Sequence, residues 1–288
     1  MTNAAFGIEH PLVTVRDIDA VAARYAAIGF APRPLGRHPW GTVNRLIMFP
    51  DNFIELIAVA DPAAIEADPV GGHKFGRRVR DRLALGEGIS LMALHSKDAP
   101  ADEAIARARG AASDGLVDFR RAVRLPDGSM DEAVVTLSIL PDAALPGTTM
   151  FLCHQHKPHL VWNADWLVHP NGAEAITEVT YLAPDPAAVA GRLAAIWGAG
   201  NLTRIEGGLR VATAGGAVLA LDAAGIARRF PGMALPEGAA ARAPCGVAIA
   251  LRARHIDMAL AAPGAVALES RVLVPAAYAG GVILEMHR

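Results

Sequence analysis

The sequence is poor in cysteine and in aromatic residues. Its 288 residues include two cysteines, Cys153 and Cys245, which are too few for a disulfide framework and are not spaced as CxxC. We therefore expect free thiols in a reducing compartment. Aromatic residues make up only 5% of the chain whereas 52% of it is hydrophobic, so we predict a core built mainly from Ala, Val, Leu and Ile and exclude disorder of the whole chain.

An excess of one charge and long apolar runs are also missing. The 27 basic and 29 acidic residues leave a formal net charge of -2, which argues against nucleic acid as a partner. No uncharged apolar run approaches the roughly 20 residues that span a bilayer, and the first residues lack the basic and apolar regions of a targeting signal. We therefore expect a cytoplasmic protein without membrane contact.

Several motifs with known chemistry are absent as well. The sequence has no GxxxxGK[ST], no strand-linked GxGxxG, no GxSxG and no HExxH, so phosphate-loop, dinucleotide, serine-hydrolase and zinc-protease functions lack support. The basic run 73–82 is interpreted as the solvated face of a connecting helix rather than as a partner site.

What the sequence does contain is a repeated pattern. Residues 8–15 alternate like a strand, Asp17 is placed to cap the helix that follows, and three short extended stretches end near residue 59. The same order of strand, helix and three strands recurs from residues 89, 174 and 245. One βαβββ unit exposes a curved sheet that it cannot bury alone. We therefore predict an α+β fold in which four units form two half-open barrels.

The four units divide the chain into two predicted domains, 1–160 and 173–288, with two βαβββ units each. Helices are expected only on the convex sides of the sheets. The concave face of each half-barrel is the predicted place of a ligand, because inward-pointing strand residues converge there.

The first unit carries a resemblance to a known family. Its two runs IEHPLVTVRDIDAVAARYAAIGF and GRHPWGTVNRLIMFPDNFIELIAV resemble glyoxalase-like proteins of the vicinal oxygen chelate superfamily. The resemblance is specific over residues 8–60, moderate over 89–162, and rests on the repeat architecture alone in the second half. It implies the vicinal oxygen chelate fold. It does not imply one reaction, because the superfamily includes glyoxalase I, extradiol dioxygenases, fosfomycin-resistance transferases, epimerases and metal-free bleomycin-binding proteins.

His10 and Glu55 occupy the two strand positions from which this superfamily projects metal ligands into the barrel. The resemblance therefore implies a divalent ion (Zn, Fe, Mn, Ni or Co) with open positions for a substrate that chelates through two oxygens. The alternative is a polar pocket in which His10 makes a hydrogen bond and Glu55 pairs with an arginine. Both side chains point inward only if Leu12 shares the face of His10 and Phe53 that of Glu55.

The second unit departs from the family pattern. Leu91 stands where His10 stands in the first unit, so the expected second histidine is missing. Cys153 and, with a slip of one residue, His154 are the candidates for a third metal ligand, and Cys153 is also a candidate for substrate binding. His154 and His156 form an HxH pair, for which two solvent-exposed histidines are the alternative.

The second half carries carboxylates but no histidine at the equivalent positions. Glu178 takes the first-strand position and Glu285 a last-strand position, while Val247 replaces any ligand and Asp222 lies beside the last strand of the third unit. A carboxylate pair alone is a poor zinc or iron site. We interpret the second half as a degenerate barrel kept for packing, with an approach of Glu178 or Glu285 to the first site as the alternative.

The segment 36–44 concentrates unusual residues. Glycine and proline fix a turn, and the side chains offer a cation, a titratable ring, a stacking surface and two polar groups. We interpret His38 as a catalytic residue that shuttles a proton, and we expect four others to bind substrate at the barrel mouth: Arg37, Trp40, Thr42 and Asn44. Trp40 is expected to be exposed and to contribute little to stability. The alternative is a rigid hairpin whose polar groups satisfy its own backbone.

Two functional hypotheses follow from these residues. The first is a metalloenzyme of glyoxalase or dioxygenase type, in which the ion acts as a Lewis acid on a small substrate that binds it through oxygens. Its reaction class would be that of a lyase, an isomerase or a dioxygenase. The second is a metal-free protein of the bleomycin-resistance type that sequesters a small aromatic or hydrophobic compound. Both make a small molecule the partner, and both leave a homodimer open.

Overall fold

The computed structural model describes residues 6–67, 74–124 and 128–288. Within these residues the chain forms two eight-stranded sheets, one from each half. Each sheet contains two units in which one strand, a helical segment and three further strands follow one another. The α+β fold of four βαβββ units predicted from the repeat is therefore confirmed.

The first sheet comes from the first two units. Its strands are β1 (Ile8–Thr14), β2 (Gly36–Arg37), β3 (Thr42–Met48), β4 (Phe53–Val59), β5 (Gly88–Ser96), β6 (Leu116–Arg124), β7 (Met130–Leu140) and β8 (Met150–Gln155). They lie in the order β2, β3, β4, β1, β5, β8, β7, β6. The antiparallel pair of β1 and β5 joins the two units at the centre, so the last strand of each unit lies next to its first.

The second sheet repeats this arrangement. Its strands are β9 (Ala173–Leu182), β10 (Leu202–Ile205), β11 (Gly208–Ala212), β12 (Ala217–Leu221), β13 (Cys245–Ala253), β14 (Val266–Leu268), β15 (Arg271–Val274) and β16 (Ile283–His287). The order β10, β11, β12, β9, β13, β16, β15, β14 matches that of the first sheet strand for strand.

The helices are α1 (Ile18–Ala27), α2 (Pro62–Ala67), α3 (Phe75–Ala84), α4 (Ala99–Ala108), α5 (Pro186–Trp197), α6 (Ala223–Arg229) and α7 (Ala239–Arg242). Asp17, Asp98 and Asp185 each accept a backbone N–H from the first turn of the helix that follows, as expected of N-caps. In the fourth unit the helix is a short 3-10 segment, Ile256–Ala261. Across the described ranges, no helix is both long and apolar enough to cross a bilayer.

The two halves pack together through the convex faces of their sheets. Residues from both halves form one large hydrophobic cluster, which includes Val13 of β1 and Val179 of β9. Trp197 of α5 is fully buried in this cluster and donates its indole N–H to the carbonyl oxygen of Phe6 at 2.9 Å. A shared apolar core therefore joins the halves.

Helices also enter the concave sides of the sheets, so the expectation that they lie only on the convex sides was wrong. In the first half-barrel, Phe75 and Val79 of α3 pack against Leu12 and Leu91. An open concave apolar surface would expose its area to water. The segment between β4 and β5 covers part of this concave surface, because its apolar residues recur at helical spacing and so form the apolar face of α3.

In the second half-barrel the concave side is filled more completely. Ile226 of α6 and Phe230, which follows that helix, pack with Leu219 and Val247 of the sheet. The concave side of the second half-barrel is therefore occupied by side chains of its own connecting segment.

Phe230 provides a test of this packing. It is 2% exposed, so Phe230→Ala should leave a cavity and lower the free energy of unfolding by about 3–5 kcal/mol. The nearby Leu235→Ala is the control, because Leu235 is 37% exposed and its loss should cost less than about 1 kcal/mol. Urea denaturation measures both values. Equal small losses would show that the second half-barrel is not filled in this way.

Candidate functional site

The concave side of the first sheet holds a cavity of about 60 Å³. Its polar lining comprises His10, His38, Asn44, Glu55, Arg121 and Gln155. Its apolar lining is mainly aromatic and includes Trp40, Phe53, Phe75, Phe119 and Phe151. At about 10–15 Å³ per water, the cavity has room for four or more waters or one small molecule. Polar groups inside an apolar wall are typical of a small-molecule site.

A β-bulge shapes the polar end of this cavity. The pairing of β1 with β5 shifts between Ile8 and His10, so Glu9 is an extra residue in the strand. Neighbouring residues of a regular strand point to opposite faces, but the bulge brings a Glu9 oxygen within 3.4 Å of His10 Nδ1. Both side chains are buried. The sequence analysis missed Glu9, because regular alternation predicts that it points away from His10.

His10 lies between two carboxylates. Its Nε2 is 3.3 Å from a Glu55 oxygen, its Nδ1 faces Glu9, and its ring stacks on Phe53 at a centroid distance of 4.1 Å. Burial alone would lower the pKa of His10, but the two carboxylates outweigh burial and raise the pKa to about 9. The ring is therefore an imidazolium at neutral pH.

Glu55 lies on β4, which runs parallel to β1. The phase predicted for both strands is the one observed, since His10, Phe53 and Glu55 line one cavity. Asn44 donates from Nδ2 to Glu55 Oε1 at 2.7 Å. Burial would raise the pKa of Glu55, but its contacts with His10, His38 and Asn44 lower it, so the side chain is a carboxylate at neutral pH.

His38 belongs to the hairpin 36–44 and is neutral. Its Nδ1 lies 2.8 Å from Thr42 Oγ1, and its Nε2 lies 3.3 Å from the Asn44 amide nitrogen. Because the amide nitrogen can only donate, Nε2 accepts and Nδ1 carries the proton. Burial is the main reason that the pKa of His38 falls to about 4.

Two glycines allow this hairpin to fold tightly. A Cβ at Gly36 would collide with Asn44 Oδ1, so a side chain there would displace the amide that holds Glu55. Gly41 has a φ of +82°, a conformation that residues with a side chain rarely adopt. Polar side chains of the hairpin bond to one another, as expected of a rigid hairpin. The hairpin also lines the cavity, as expected of a substrate-binding segment.

Two residues of the hairpin lie elsewhere than expected. Trp40 is 2% exposed and packs with Phe75 and Phe119, so the expectation of an exposed aromatic that adds little to stability was wrong. Arg37 is exposed on β2, and the cation that lines the cavity is Arg121 of β6. Long-range packing of the second unit against the hairpin, which the local sequence does not encode, decides both positions.

The second unit supplies thiol and amide groups to the site rather than a histidine. Cys153 lines the cavity, and Gln155 donates from Nε2 to Glu9 at 3.1 Å and to the Cys153 sulfur at 3.2 Å. His154, between them in the strand, is half-buried and stacks on His156 at a centroid distance of 3.9 Å. Because side chains alternate along β8, His154 points away from the cavity that Cys153 and Gln155 line.

The residues as arranged do not fit the divalent metal that the resemblance implies. A catalytic metal usually takes three protein ligands that converge on one point. His10 and Glu55 supply two, but in the part of the chain that the structure describes no three His, Cys, Asp or Glu side chains converge in this way. Phe151 and Cys153 line the unit-two side, and burial raises the pKa of the Cys153 thiol, which keeps it protonated.

In the second half-barrel an arginine separates the two candidate carboxylates. Arg229 lies 2.6 Å from Glu285 and 3.2 Å from Glu178, and Arg271 adds a contact of 3.2 Å to Glu285. Asp222 caps α6 by accepting the N–H of Gly225. Neither carboxylate contacts the first site in this arrangement, because both belong to the ion-pair cluster around Arg229.

Comparisons with known proteins agree with the fold. A family model described as a glyoxalase-like domain matches residues 8–197. A hypothetical protein from Staphylococcus aureus is similar in structure, with a TM-score of 0.68, 10% sequence identity, and coverage of 98% of this chain and 99% of that one. A mutant of 4-hydroxymandelate synthase from Streptomyces coelicolor has a TM-score of 0.53 at 12% identity, with 98% and 92% coverage. At such identities these structures show the fold alone. None of the curated proteins matches.

The charge of His10 predicts a pH dependence of stability. Its pKa rises from 6.5 to about 9 on folding, so its contribution is fully present below pH 6.5 and is lost as the pH rises through about 9. In Glu9→Gln one of the two carboxylates is removed, so the loss of stability between these pH values should be smaller than in the wild type. Urea denaturation at a series of pH values measures this difference.

The control for this measurement is Glu66→Gln, because Glu66 is exposed and does not line the cavity. Its profile should follow that of the wild type. A Glu9→Gln profile parallel to the wild type would contradict the placement of Glu9 against His10.

Proposed function

The chain belongs to the glyoxalase-like domain family, and we propose that its first half-barrel binds a small carbonyl compound and moves a proton on the carbon next to that carbonyl. One observation carries the proposal. His10 lines the cavity between two buried carboxylates, with its Nδ1 3.4 Å from Glu9 and its Nε2 3.3 Å from Glu55. A fixed positive charge beside a buried carboxylate can stabilise a developing oxyanion while the carboxylate accepts a proton.

The lining supports a ligand with a polar and an apolar end. The polar end would lie toward Arg121, which offers N–H donors to a carbonyl or carboxylate oxygen, and beside the charge of His10. The apolar end would contact Phe53 and Phe119. A buried N–H of Trp40 has no hydrogen-bond partner among the described residues, so a ligand oxygen would satisfy it. The volume of about 60 Å³ favours a molecule of a few heavy atoms.

The proposed step is a reversible proton transfer between the ligand and Glu55, and it needs no other reactant. Glu55 takes the proton from the carbon next to the carbonyl, and the electron pair of the broken C–H bond moves to the carbonyl oxygen. The positive charge of His10, whose two N–H groups face Glu9 and Glu55, stabilises the enolate, and Arg121 donates to its oxygen. Return of the proton from Glu55 to the carbon restores a carbonyl compound. Glu9 acts through His10 as a positioning residue, because its carboxylate holds the ring and its charge.

This proposal gives His38 a different part from the sequence interpretation. A histidine with a pKa of about 4 carries little proton at neutral pH, so it is a poor shuttle. Its contacts with Thr42 and Asn44 instead hold the amide that donates to Glu55. The metalloenzyme and the sequestering protein remain the alternatives, and a cytoplasmic location stays a prediction.

Hydrogen exchange of pyruvate tests the proposal. In D2O the wild-type protein should replace the methyl protons of pyruvate with deuterium faster than buffer alone, as followed by proton NMR. Glu55→Gln should slow this exchange by about 10²–10⁴-fold, because it removes the base. Glu66→Gln should exchange at the wild-type rate. No exchange above buffer, or exchange that survives in Glu55→Gln, would overturn the proposal.

Two further measurements separate the proposal from the metalloenzyme and from the sequestering protein. Exchange should be unchanged by a chelator, and elemental analysis with Zn, Mn, Ni and Fe(II) titrations should show no difference between wild type and His10→Ala. Exchange that requires one of these ions, together with ion binding lost in His10→Ala, would support the metalloenzyme. Pyruvate binding without any exchange would support the sequestering protein.

A further inference from the structure

A second and larger cavity lies between the two halves of the chain. It measures about 850 Å³ and is open to solvent. One wall is α3, and the other is formed by the segments 144–147 and 238–245, which belong to the two different halves. We call this cavity the basic cleft, after the cations that line it: Lys74, Arg77, Arg78, Arg82 and Arg242. It is separate from the half-barrel cavity described above.

One face of α3 gives the basic cleft its charge. Residues 74, 77, 78, 81 and 82 recur at helical spacing and line the cleft together. The opposite face carries Phe75 and Val79, which are buried in the first half-barrel. The sequence interpretation of the run 73–82 as a solvated helix face is thus incomplete, because a wall from the second half encloses that face. Residue 73 lies outside the described residues.

The charges in the basic cleft are not balanced. Five cationic side chains line it against two carboxylates, Asp81 and Asp114, and Glu66 adds an ion pair of 3.6 Å to Arg77 from outside the lining. Lys74 and Arg78, and Arg78 and Arg82, are like charges four residues apart on one helix, a spacing that destabilises an isolated helix. An anion between them would remove this repulsion.

Arg82 and Arg242 show the crowding most clearly. The hydrogen bonds of both guanidinium groups end on backbone carbonyl oxygens, those of Arg82 on Gly86, Glu87 and Ile89, and those of Arg242 on Leu85 and Glu237. Burial, together with the charge of Arg242, lowers the pKa of Arg82 to about 10. The Nε and Nη2 atoms of Arg242 are buried and have no partner among the described residues. Two guanidinium nitrogens beside the cleft, with three N–H bonds between them, therefore lack an acceptor among the described residues.

We propose that the basic cleft is a second binding site, and that it takes the phosphate groups of a small phosphorylated molecule. Guanidinium groups match phosphate oxygens in geometry and charge, and several of them around one cavity favour a multiply charged anion over a single carboxylate. No aromatic side chain is among the described residues that line the cleft, so it offers no stacking surface for a nucleobase. The site recognises the phosphate end of its ligand.

Calorimetric titration with inorganic pyrophosphate tests this site. The wild-type protein should bind one pyrophosphate per chain, and binding should weaken as salt is added, since it depends on charge. Arg78→Met and Arg242→Met should each weaken binding at least about tenfold, because each removes a charge-assisted donor. The control is Arg107→Met, an exposed arginine on α4 whose loss should leave binding unchanged.

The variants differ in what they also remove. Arg242 donates hydrogen bonds to the carbonyl oxygens of Leu85 and Glu237, so its loss can also change the fold. A result with Arg242→Met is therefore used only if its circular dichroism spectrum matches that of the wild type. Lys74→Met is the additional variant, because Lys74 is exposed and its side chain forms no hydrogen bond or ion pair with the described residues. Absence of saturable binding would overturn the proposal. Equal binding by the wild type, Arg78→Met and Lys74→Met would do the same, because it would place pyrophosphate elsewhere.

Discussion

A buried imidazolium between two carboxylates determines the arrangement of the first half-barrel. Removing three charged groups from water is costly, and the attraction between opposite charges that lie next to each other offsets part of this cost. Glu9 and Glu55 lie 3.4 and 3.3 Å from the two nitrogens of His10, and Gln155 and Asn44 donate to the same carboxylates. A slip of β1 or β4 by one residue would leave a buried charge without a partner, so this cluster also fixes the register of the strands.

The two halves share a topology but differ in what lies between their carboxylates. In the first half the cation is His10, a small ring that leaves a cavity beside it. In the second half it is Arg229, whose guanidinium lies between Glu178 and Glu285 while Phe230 fills the concave side. The same sheet therefore supports a ligand cavity in one half and a packed interior in the other. Helix α3 lies between the two cavities of the molecule. One of its faces lines the half-barrel cavity and the other lines the basic cleft.

The sequence was enough to predict the repeated units and the strand phase, because alternation and helix caps are local signals. Alternation along β1 and β4 correctly predicts that His10 and Glu55 point to the same side of the sheet, where both line one cavity. Glu9 was not predictable, since a β-bulge interrupts alternation without a signature in composition. The burial of Trp40 and the use of Arg121 in place of Arg37 depend on packing between distant segments. Local patterns thus predicted the phase of the strands, whereas long-range contacts determined which other side chains line the cavity.

The protonation state of His10 tests the central claim most directly. Nitrogen NMR of the ring, in protein prepared without added metal, reports whether each nitrogen carries a proton. Both nitrogens should be protonated at neutral pH, and the ring should lose a proton only as the pH rises through about 9. A ring that is neutral at pH 7, or one whose Nε2 signal moves on addition of Zn, would contradict the account of a charged histidine held between Glu9 and Glu55.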